Sequence, residues 1–250
     1  MIGALLAVAA VALPPVGAGF DYQLGGDYPL PAGVSVVSRD WHDGHAAPGA
    51  YNVCYMNAFQ TQPGERRRWP RGLVVTRFGD DPDWPGEFPV NISTPRKRAR
   101  AARFVGRWVR RCAAKGFDAV EYDNLDSWTR YPRTPFGRAD ALAYAHRLVR
   151  RAHRLDLAAA QKNTVELDGR RAGYDFAVAE ECGRWRECGR YRRMYGDHVL
   201  AIEYRRRDMP RTCRVFSSVV LRDVDLRTPG EPGYRFGRCP QSRRTSTAAG

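Results

Sequence analysis

The sequence predicts an α/β fold, a single (β/α)8 TIM-like barrel, on three observations. Eight short apolar runs recur along the 250 residues, and each run is continuous, without regular alternation of apolar and polar positions. Continuous runs are typical of parallel strands that are buried on both faces. Helical patterns separate several runs, and acidic residues collect where the runs end. This order favours parallel βα units closed into a barrel, with a doubly wound open sheet as the alternative.

Each apolar run predicts one strand. The runs are FDYQL (20–24), VSVVSRD (34–40), YNVCYMNAF (51–59), FDAVEYDN (117–124), LAAAQKN (157–163), FAVAEE (176–181), HVLAIEY (198–204) and SVVLRD (218–223). A weaker run, LVVT (73–76), fits either a ninth strand or part of an insertion. The chain contains neither GxGxxG nor a P-loop sequence, which argues against a nucleotide-binding open sheet.

A long loop insertion is predicted between residues 56 and 95. This stretch is rich in Pro, Gly and Arg and holds few apolar positions. Long loops that follow barrel strands shape binding clefts, so we expect this insertion to border one.

Two helices have clear apolar periodicity. In 97–113 the apolar positions recur every third or fourth residue, which is the spacing of one buried helix face. Thr94 and Pro95 fit an N-cap followed by Pro at the first helical position, and Lys115-Gly116 fits the end of the helix. The segment 138–155 repeats the pattern.

The first 18 residues predict a signal peptide that is cleaved after Ala18. Residues 2–13 are apolar, and small residues stand at Val16 and Ala18. A buried N-terminal strand or helix is the alternative. The apolar stretch is too short to span a bilayer, and no later run reaches the roughly 18 residues that a membrane helix needs. We therefore expect a secreted, extracellular protein with a barrel over 19–239 and a disordered tail over 240–250.

Six cysteines remain after the signal peptide, an even number that allows 15 pairings. An exported protein meets oxidising conditions, so disulfides are expected. The preferred pairs are Cys182–Cys188 across a turn, Cys213–Cys239 tying down the C-terminal segment, and Cys54–Cys112 between a strand and a helix. The chain has no CxxC and no His at metal spacing from a Cys pair, so neither a metal nor a cofactor is predicted.

The charges separate along the sequence. Lys and Arg number 41 and Asp and Glu 27, a formal net charge of +14, which raises nucleic acid or an anionic surface as a partner. The bases crowd the predicted helices and loops, whereas the acids follow the strands, and no motif of a known nucleic-acid reader is present. We therefore expect a cationic exterior, an acidic barrel mouth, no nucleic-acid partner and a monomer.

Acidic residues lie at or just after the ends of five of the predicted strands. They are Asp40, Glu121, Asp123, Asp126, Glu180, Glu181, Glu203 and Asp223. The carboxyl ends of barrel strands meet at one face, where active sites are built. Glycoside hydrolysis needs one protonated carboxyl group as acid and one ionised carboxylate as nucleophile or base. For a single acid the alternative is a helix cap or an Arg partner, but together the five strand ends favour a hydrolytic site.

Three segments carry a resemblance to a known family. GFDAVEYDNLDSW (116–128), QKNTVEL (161–167) and DFAVAEECGRWRECGRY (175–191) resemble the family 114 glycoside hydrolases, the endo-α-1,4-polygalactosaminidase-like proteins, and most closely their short secreted actinobacterial forms. The resemblance runs from about residue 20 to residue 239. It implies a TIM-like barrel that acts on α-1,4-linked galactosamine polymers through an Asp/Glu pair.

The resemblance places the catalytic pair at Asp123 and Glu180. The family's EPDN motif falls on 121–124, with Tyr122 in place of Pro, and its NEQC motif falls on 179–182, with Ala179 and Glu181 in place of Asn and Gln. We expect Asp123 to act as nucleophile or charge stabiliser and Glu180 as general acid/base.

Ten further residues are predicted to bind the substrate. They are Asp40, Tyr55, Glu121, Asn124, Asp126, Lys162, Asn163, Glu181, Glu203 and Tyr204. Tyr55, Tyr204, Tyr122 and Trp128 suit stacking on sugars, with core packing as the alternative. Lys162 could bind a sugar hydroxyl or adjust the properties of Glu180. The alternative is an ion pair with Glu121 or Glu203.

The predicted function is a secreted endo-glycosidase that hydrolyses an α-1,4-linked galactosamine-type polysaccharide. One alternative is a barrel that binds carbohydrate without turnover, and another is an anionic-polymer-binding protein that uses the basic exterior.

Overall fold

In the part of the chain that the structure describes, eight parallel strands and one antiparallel strand form the central sheet. The structure is a computed structural model, and it describes residues 11–131 and 133–240. The strands are β1 (Gly19–Gln23), β2 (Val34–Asp40), β3 (Tyr51–Met56), β4 (Ala119–Tyr122), β5 (Ala158–Lys162), β6 (Phe176–Glu180), β7 (Val199–Glu203), β8 (Val219–Arg222) and β9 (Phe236–Arg238). Strands β1 to β8 pair in sequence order, and β1 lies beside β8. The predicted barrel is confirmed, and the open sheet with its reversal of strand order is not found.

Helices cover the outside of the barrel. Within the described residues they are α1 (Pro95–Ala114), α2 (Ser127–Arg130), α3 (Arg138–His153), α4 (Cys182–Trp185), α5 (Cys188–Tyr195) and α6 (Met209–Cys213). The two predicted helices are confirmed as α1 and α3, which pack against each other. The Thr94 side chain accepts a hydrogen bond from the backbone N–H of Lys97, and Pro95 opens the helix. None of the helices in the described part is long and apolar enough to cross a membrane.

Side chains alternate along each strand between the barrel interior and the helix layer. Along β6, Phe176 and Val178 join the inner apolar cluster, whereas Ala177 and Ala179 pack against the helices. The same alternation in β4 places Ala119 inside and Val120 outside. Inward-facing positions near the carboxyl ends of the strands therefore point into the barrel mouth.

A buried ion pair joins the first and last parallel strands. Arg222 on β8 and Asp21 on β1 are both fully buried, and the guanidinium Nη1 lies 3.0 Å from Asp21 Oδ1. Arg222 also donates to the backbone carbonyls of Tyr22 and Arg227. These contacts satisfy a buried charge at the seam where β1 lies beside β8.

Three disulfides connect the six cysteines, and all three predicted pairs are confirmed: Cys54–Cys112, Cys182–Cys188 and Cys213–Cys239. The first pair joins β3 to α1 across 58 residues of sequence, and the second closes a short loop of separation 6.

We expect unequal losses of stability when these disulfides are removed. Loop-closure entropy predicts a loss of about 4 kcal/mol for the Cys54→Ala/Cys112→Ala variant and about 2 kcal/mol for Cys182→Ala/Cys188→Ala. Urea unfolding of both variants beside the wild type measures the difference. An equal loss, or a larger loss for the short loop, would contradict this prediction.

The insertion between β3 and α1 has its own apolar layer. Trp69, Leu73, Val75, Val90 and Ile92 are buried. The weak run at 73–76 is not a ninth strand: Val74 forms only an isolated bridge with Val90. The ninth strand is β9, which the sequence analysis missed because its three residues are only half-buried.

The two ends of the chain reach beyond the described residues. Residues 1–10 of the predicted signal peptide and 241–250 of the predicted disordered tail lie outside them. Residues 11–18 are described: the Tyr51 hydroxyl donates to the carbonyl of Ala12 at 2.8 Å, and Val11, Leu13 and Ala18 pack against the inner apolar cluster. Cleavage after Ala18 would remove the contacts of residues 11–18, and it stays a prediction.

Candidate active site

The carboxyl ends of the parallel strands surround a cavity of about 350 Å³. Eight of the twelve predicted site residues line it: Asp40, Tyr55, Asp123, Asn124, Lys162, Asn163, Glu180 and Tyr204. They come from strands β2 to β7 or directly follow them, so the barrel geometry brings them together from distant parts of the sequence.

The Lys162 ammonium group lies at the centre of the site. Its Nζ is 3.2 Å from Glu121 Oε1, 3.3 Å from Asp123 Oδ2 and 3.4 Å from Glu180 Oε2, and it donates to the Tyr22 hydroxyl at 2.8 Å. Burial by itself lowers the pKa of a lysine, but the three carboxylates outweigh it and raise the pKa of Lys162. Lys162 is therefore charged at neutral pH and bridges the two predicted catalytic carboxylates.

Asp123 is held as an ionised carboxylate. Its Oδ2 accepts hydrogen bonds from the Tyr55 hydroxyl at 2.9 Å and from Lys162, and its Oδ1 accepts from the backbone N–H of Asn124 at 2.7 Å. Burial acts to raise the pKa of Asp123, but Lys162, the Asn124 N–H and Arg130 together lower it. An ionised carboxylate in a low-dielectric cleft suits a nucleophile or a charge stabiliser.

Glu180 is fixed by two neighbouring side chains. The Tyr204 hydroxyl donates to its Oε1, and the Asn163 amide donates to its Oε2 at 2.8 Å. Asn163 also accepts the backbone N–H of Glu180 at 2.8 Å, so two hydrogen bonds hold this strand end against the next loop. Burial and the nearby Glu180 raise the pKa of Tyr204, so its hydroxyl keeps its proton and stays a donor.

The two predicted catalytic carboxylates lie close together. Lys162 Nζ contacts Asp123 Oδ2 and Glu180 Oε2, so these oxygens are within about 6.7 Å of each other, the sum of the two contact distances. Retaining glycosidases place their carboxyl groups about 5–5.5 Å apart and inverting ones about 6.5–9.5 Å apart. A separation below this limit includes the whole retaining range and only the short end of the inverting range.

Glu121 does not line the cleft, which corrects its prediction as a substrate-binding residue. It is fully buried beneath the cleft, where it accepts hydrogen bonds from the Tyr22 hydroxyl at 2.7 Å and from Ser38 Oγ at 3.1 Å. Glu121 forms an ion pair with Lys162, which is the alternative that the sequence left open for this lysine.

Glu203 is also placed away from the cleft. Glu203 is the last residue of β7 and directly precedes Tyr204, which lines the cleft. Because side chains alternate along a strand, Glu203 points outward. There its Oε1 accepts hydrogen bonds from the backbone N–H of Gly183 at 2.8 Å and from Thr212 Oγ1 at 2.5 Å. Glycine is required at 183, since a Cβ would lie 2.2 Å from Thr212 Oγ1. Glu203 thus connects α4 and α6 to the barrel and lies outside the cleft lining.

Two further acids lie outside the cleft lining. Glu181 Oε2 lies 2.7 Å from Arg184 Nη1. The backbone of Glu181 has a φ of 51°, in the left-handed region, and α4 begins at the next residue. Asp126 lies 3.4 Å from Arg130, which itself lines the cleft. Of the aromatic candidates, Tyr122 is turned outward and donates to the carbonyl of Leu148, which corrects the stacking prediction.

Several cleft residues were not predicted from the sequence. They include Tyr22, Gln62, Trp84, Glu87 and Arg130. Alternation along β1 would have found Tyr22, because Phe20 and Tyr22 share the inward face. Gln62, Trp84 and Glu87 lie in the long insertion, where no strand-end signal marks them. The expectation that this insertion borders a cleft is confirmed by these residues.

Within the described residues, Cys182, Cys188 and Glu203 bring three potential metal-ligand atoms within 4.8 Å of one another. The two cysteines form a disulfide, so neither sulfur is a thiolate that could bind a metal.

A second cavity of about 530 Å³ adjoins the cleft on the Asp40 side. It shares Leu24, Gly25, Asp40 and Gln62 with the cleft lining. The two cavities therefore lie next to each other, and we refer to them together as the groove.

Comparisons with known proteins identify a family and similar folds. The sequence model of glycoside-hydrolase family GH114 matches residues 4–242. The fold is similar to the crystal structure of Aspergillus fumigatus Ega3 in complex with galactosamine, with a TM-score of 0.77 and 19% identity over 92% of this chain and 98% of that chain. It is also similar to the glycoside hydrolase domain of PelA from Pseudomonas aeruginosa, with a TM-score of 0.56 and 13% identity over 83% of this chain and 94% of that one.

One relative was found among curated proteins. An uncharacterised protein of Deinococcus radiodurans is 28% identical over 110 residues, which is 43% of this chain and 34% of that protein. The match thus spans about a third of the relative's length.

Proposed function

The chain belongs to glycoside-hydrolase family GH114, and from this premise we propose that it is a secreted endo-glycosidase of α-1,4-linked galactosamine polymers. The observation that carries the proposal is the pairing of Asp123 and Glu180 across Lys162 in an acidic barrel mouth. The similar Ega3 structure, which holds galactosamine, supports an amino sugar as substrate.

In the proposed retaining reaction Asp123 is the nucleophile and Glu180 the acid/base. An oxygen of Asp123 forms a bond to the anomeric carbon while the glycosidic C–O bond breaks, and Glu180 transfers its proton to the leaving oxygen. Water then attacks the same carbon, Glu180 takes its proton, and the bond to Asp123 breaks. Tyr204 and Asn163 hold Glu180 for both steps, while Lys162 and Tyr55 keep Asp123 ionised until it attacks.

The groove supports binding of a polymer and cleavage within it. The adjoining cavities offer space on either side of Asp40 for several sugar units. The acids of the groove favour a cationic sugar locally, because screening at physiological salt limits the opposing field of the basic exterior to about 8 Å.

Product analysis tests the proposed function. The purified protein is incubated with polymers of galactosamine, N-acetylgalactosamine and glucosamine, and the products are separated by mass. We expect short oligomers from the galactosamine polymer. Release of monomers alone would contradict endo action, and intact polymers in every sample would favour the barrel that binds without turnover.

Secretion is part of the proposal. The three disulfides support an oxidising destination. N-terminal sequencing of protein collected from the medium of an expressing bacterium tests both points. A mature chain that begins at Gly19 would support cleavage after Ala18. A mature chain that begins before residue 11 would keep the contacts of residues 11–18 and place the cleavage site upstream.

A groove on the outside supports a second function, the binding of an acidic polymer. A cavity of about 800 Å³ between α1 and α3 is lined by seven arginines: Arg98, Arg103, Arg147, Arg150, Arg151, Arg154 and Arg171. Burial lowers the pKa of Arg151, and the neighbouring Arg154 and Arg110 lower it further. An anion in the groove would relieve this repulsion.

Heparin binding tests the second function. We expect the Arg151→Gln/Arg154→Gln variant to bind heparin more weakly at physiological salt than the wild type does. Equal binding by the two proteins, or binding that vanishes above low salt, would mark the contact as non-specific.

A further inference from the structure

Glu87 lies in the cleft, and the proposed reaction does not use it. It lines the same cavity as Asp123, and it comes from the long insertion between β3 and α1. Among the described residues that line this cavity, it is the one acid that the insertion supplies.

Hydrogen bonds hold one oxygen of Glu87 in place. Its Oε2 accepts from the side-chain amides of Asn57 at 2.8 Å and Asn124 at 3.2 Å. Asn57 Oδ1 in turn accepts from the Asn124 amide at 2.9 Å, so the three side chains form a closed network. The other oxygen, Oε1, has no hydrogen-bond partner among the described residues and is available to a ligand.

The surroundings of Glu87 favour a bound cation. Burial raises the pKa of Glu87 to about 7, Asp123 and Asp81 act in the same direction, and the Asn57 hydrogen bond and Arg130 oppose it. Tyr55 faces the same group of acids, and its own pKa is raised by burial, Asp123 and Glu87. A positively charged ligand group would stabilise the ionised form of Glu87 and offset the repulsion between the carboxylates.

We propose that Glu87 is a specificity-determining residue that binds the ammonium group of an amino sugar through Oε1 and so selects unacetylated over N-acetylated substrate. This inference rests on the proposed function, because the sugar must enter the cleft of Asp123 and Glu180. An N-acetyl group carries no charge, so the carboxylate would lose its solvation without gaining a counter-ion.

Glu87→Gln is the variant that tests the proposal. Its side-chain oxygen can still accept from Asn57 and Asn124, while an NH2 group replaces Oε1. Steady-state kinetics are measured on a galactosamine polymer and on the same polymer after N-acetylation. We expect kcat/KM on the unacetylated polymer to fall about 10- to 100-fold, mainly through KM, with little change on the acetylated one. An equal fall on both, or an unchanged preference, would overturn the inference.

The matched control is Asp83→Asn, which removes an exposed carboxylate from the same insertion. We expect its preference to equal that of the wild type. The pH profile adds a readout that a purely structural role would not move: kcat/KM of the wild type on the unacetylated polymer rises as pH passes about 7, because Glu87 becomes ionised, and this rise disappears in Glu87→Gln.

Binding of monosaccharides separates this inference from the proposed function. Calorimetry compares galactosamine with N-acetylgalactosamine on Asp123→Asn and on Asp123→Asn/Glu87→Gln. A preference for galactosamine that the double variant loses supports the inference even if the wild type cleaves none of the polymers, in which case only the proposed function fails. Hydrolysis by the wild type without such a preference overturns the inference and leaves the proposed function standing.

Discussion

Replacement of Asp123 by Asn is expected to abolish turnover of the galactosamine polymer, with a fall in kcat on the order of 10⁴-fold. The amide keeps the shape of the side chain, and its oxygen can still accept from the Asn124 N–H, while an NH2 group replaces the oxygen that accepts from the Tyr55 hydroxyl. It is not a competent nucleophile, and it carries no charge to stabilise a positive sugar carbon. Initial rates of reducing-end release at saturating polymer measure the loss.

The control for this variant is Asp156→Asn. Asp156 is exposed and precedes β5, at the amino end of the barrel, and its φ of 56° is one that Asn tolerates. We expect wild-type rates from it. Circular dichroism and thermal unfolding of both variants establish that each is folded. Substantial turnover by a folded Asp123→Asn protein would exclude Asp123 as nucleophile.

Replacement of Lys162 by Met is expected to lower both stability and activity. The variant leaves Glu121 and Asp123 without their counter-ion, and removing one partner of a buried ion pair costs about 3–5 kcal/mol. The pKa of Asp123 is held below its usual value partly by Lys162, so we expect it to rise in the variant. Asp123 must be ionised to attack, and the acid limb of the kcat/KM profile should therefore move to higher pH.

Urea unfolding and a pH–rate profile measure these two effects separately. A matched double variant, Lys162→Met/Glu121→Gln, removes the fully buried carboxylate as well, and we expect it to recover part of the lost stability without restoring the acid limb. A Lys162→Met protein with wild-type stability and an unmoved acid limb would show that the ammonium group is not needed to hold the site.

The wild-type stability should itself depend on pH through Asp123. Because its folded-state pKa is lowered, Asp123 contributes stability that is present above the ordinary Asp pKa of about 3.9 and is lost as pH falls through the lower folded value. Urea unfolding between pH 6 and pH 3 measures this, and Asp123→Asn should flatten that part of the curve.

Much of the fold was accessible from the sequence because its determinants are local. Continuous apolar runs mark strands covered on both faces, and the eight predicted strands correspond to β1 to β8. The periodic apolar face and the Thr94-Pro95 start located α1 within two residues. The Cys54–Cys112 pair, preferred among 15 possible pairings because it would join a predicted strand to a predicted helix, is present in the structure.

The candidate site was accessible only in part. The positions of Asp123, Lys162 and Glu180 at strand ends correctly predicted that they line one cavity, because parallel strands bring their carboxyl ends to one face of the barrel. Glu203 was misplaced because its strand end was counted without its face: one residue along a strand reverses the direction of the side chain.

The sequence alone specified the barrel and the strands that bring Asp123 and Glu180 to its mouth, because hydrophobic pattern and chain order act through near neighbours. Three-dimensional packing was needed to show that Glu121 lies beneath the cleft, that Lys162 joins three carboxylates, and that the insertion returns Glu87 to the mouth. Burial and charge pairing between residues tens of positions apart depend on how the loops close over the strands, and no local pattern encodes that closure.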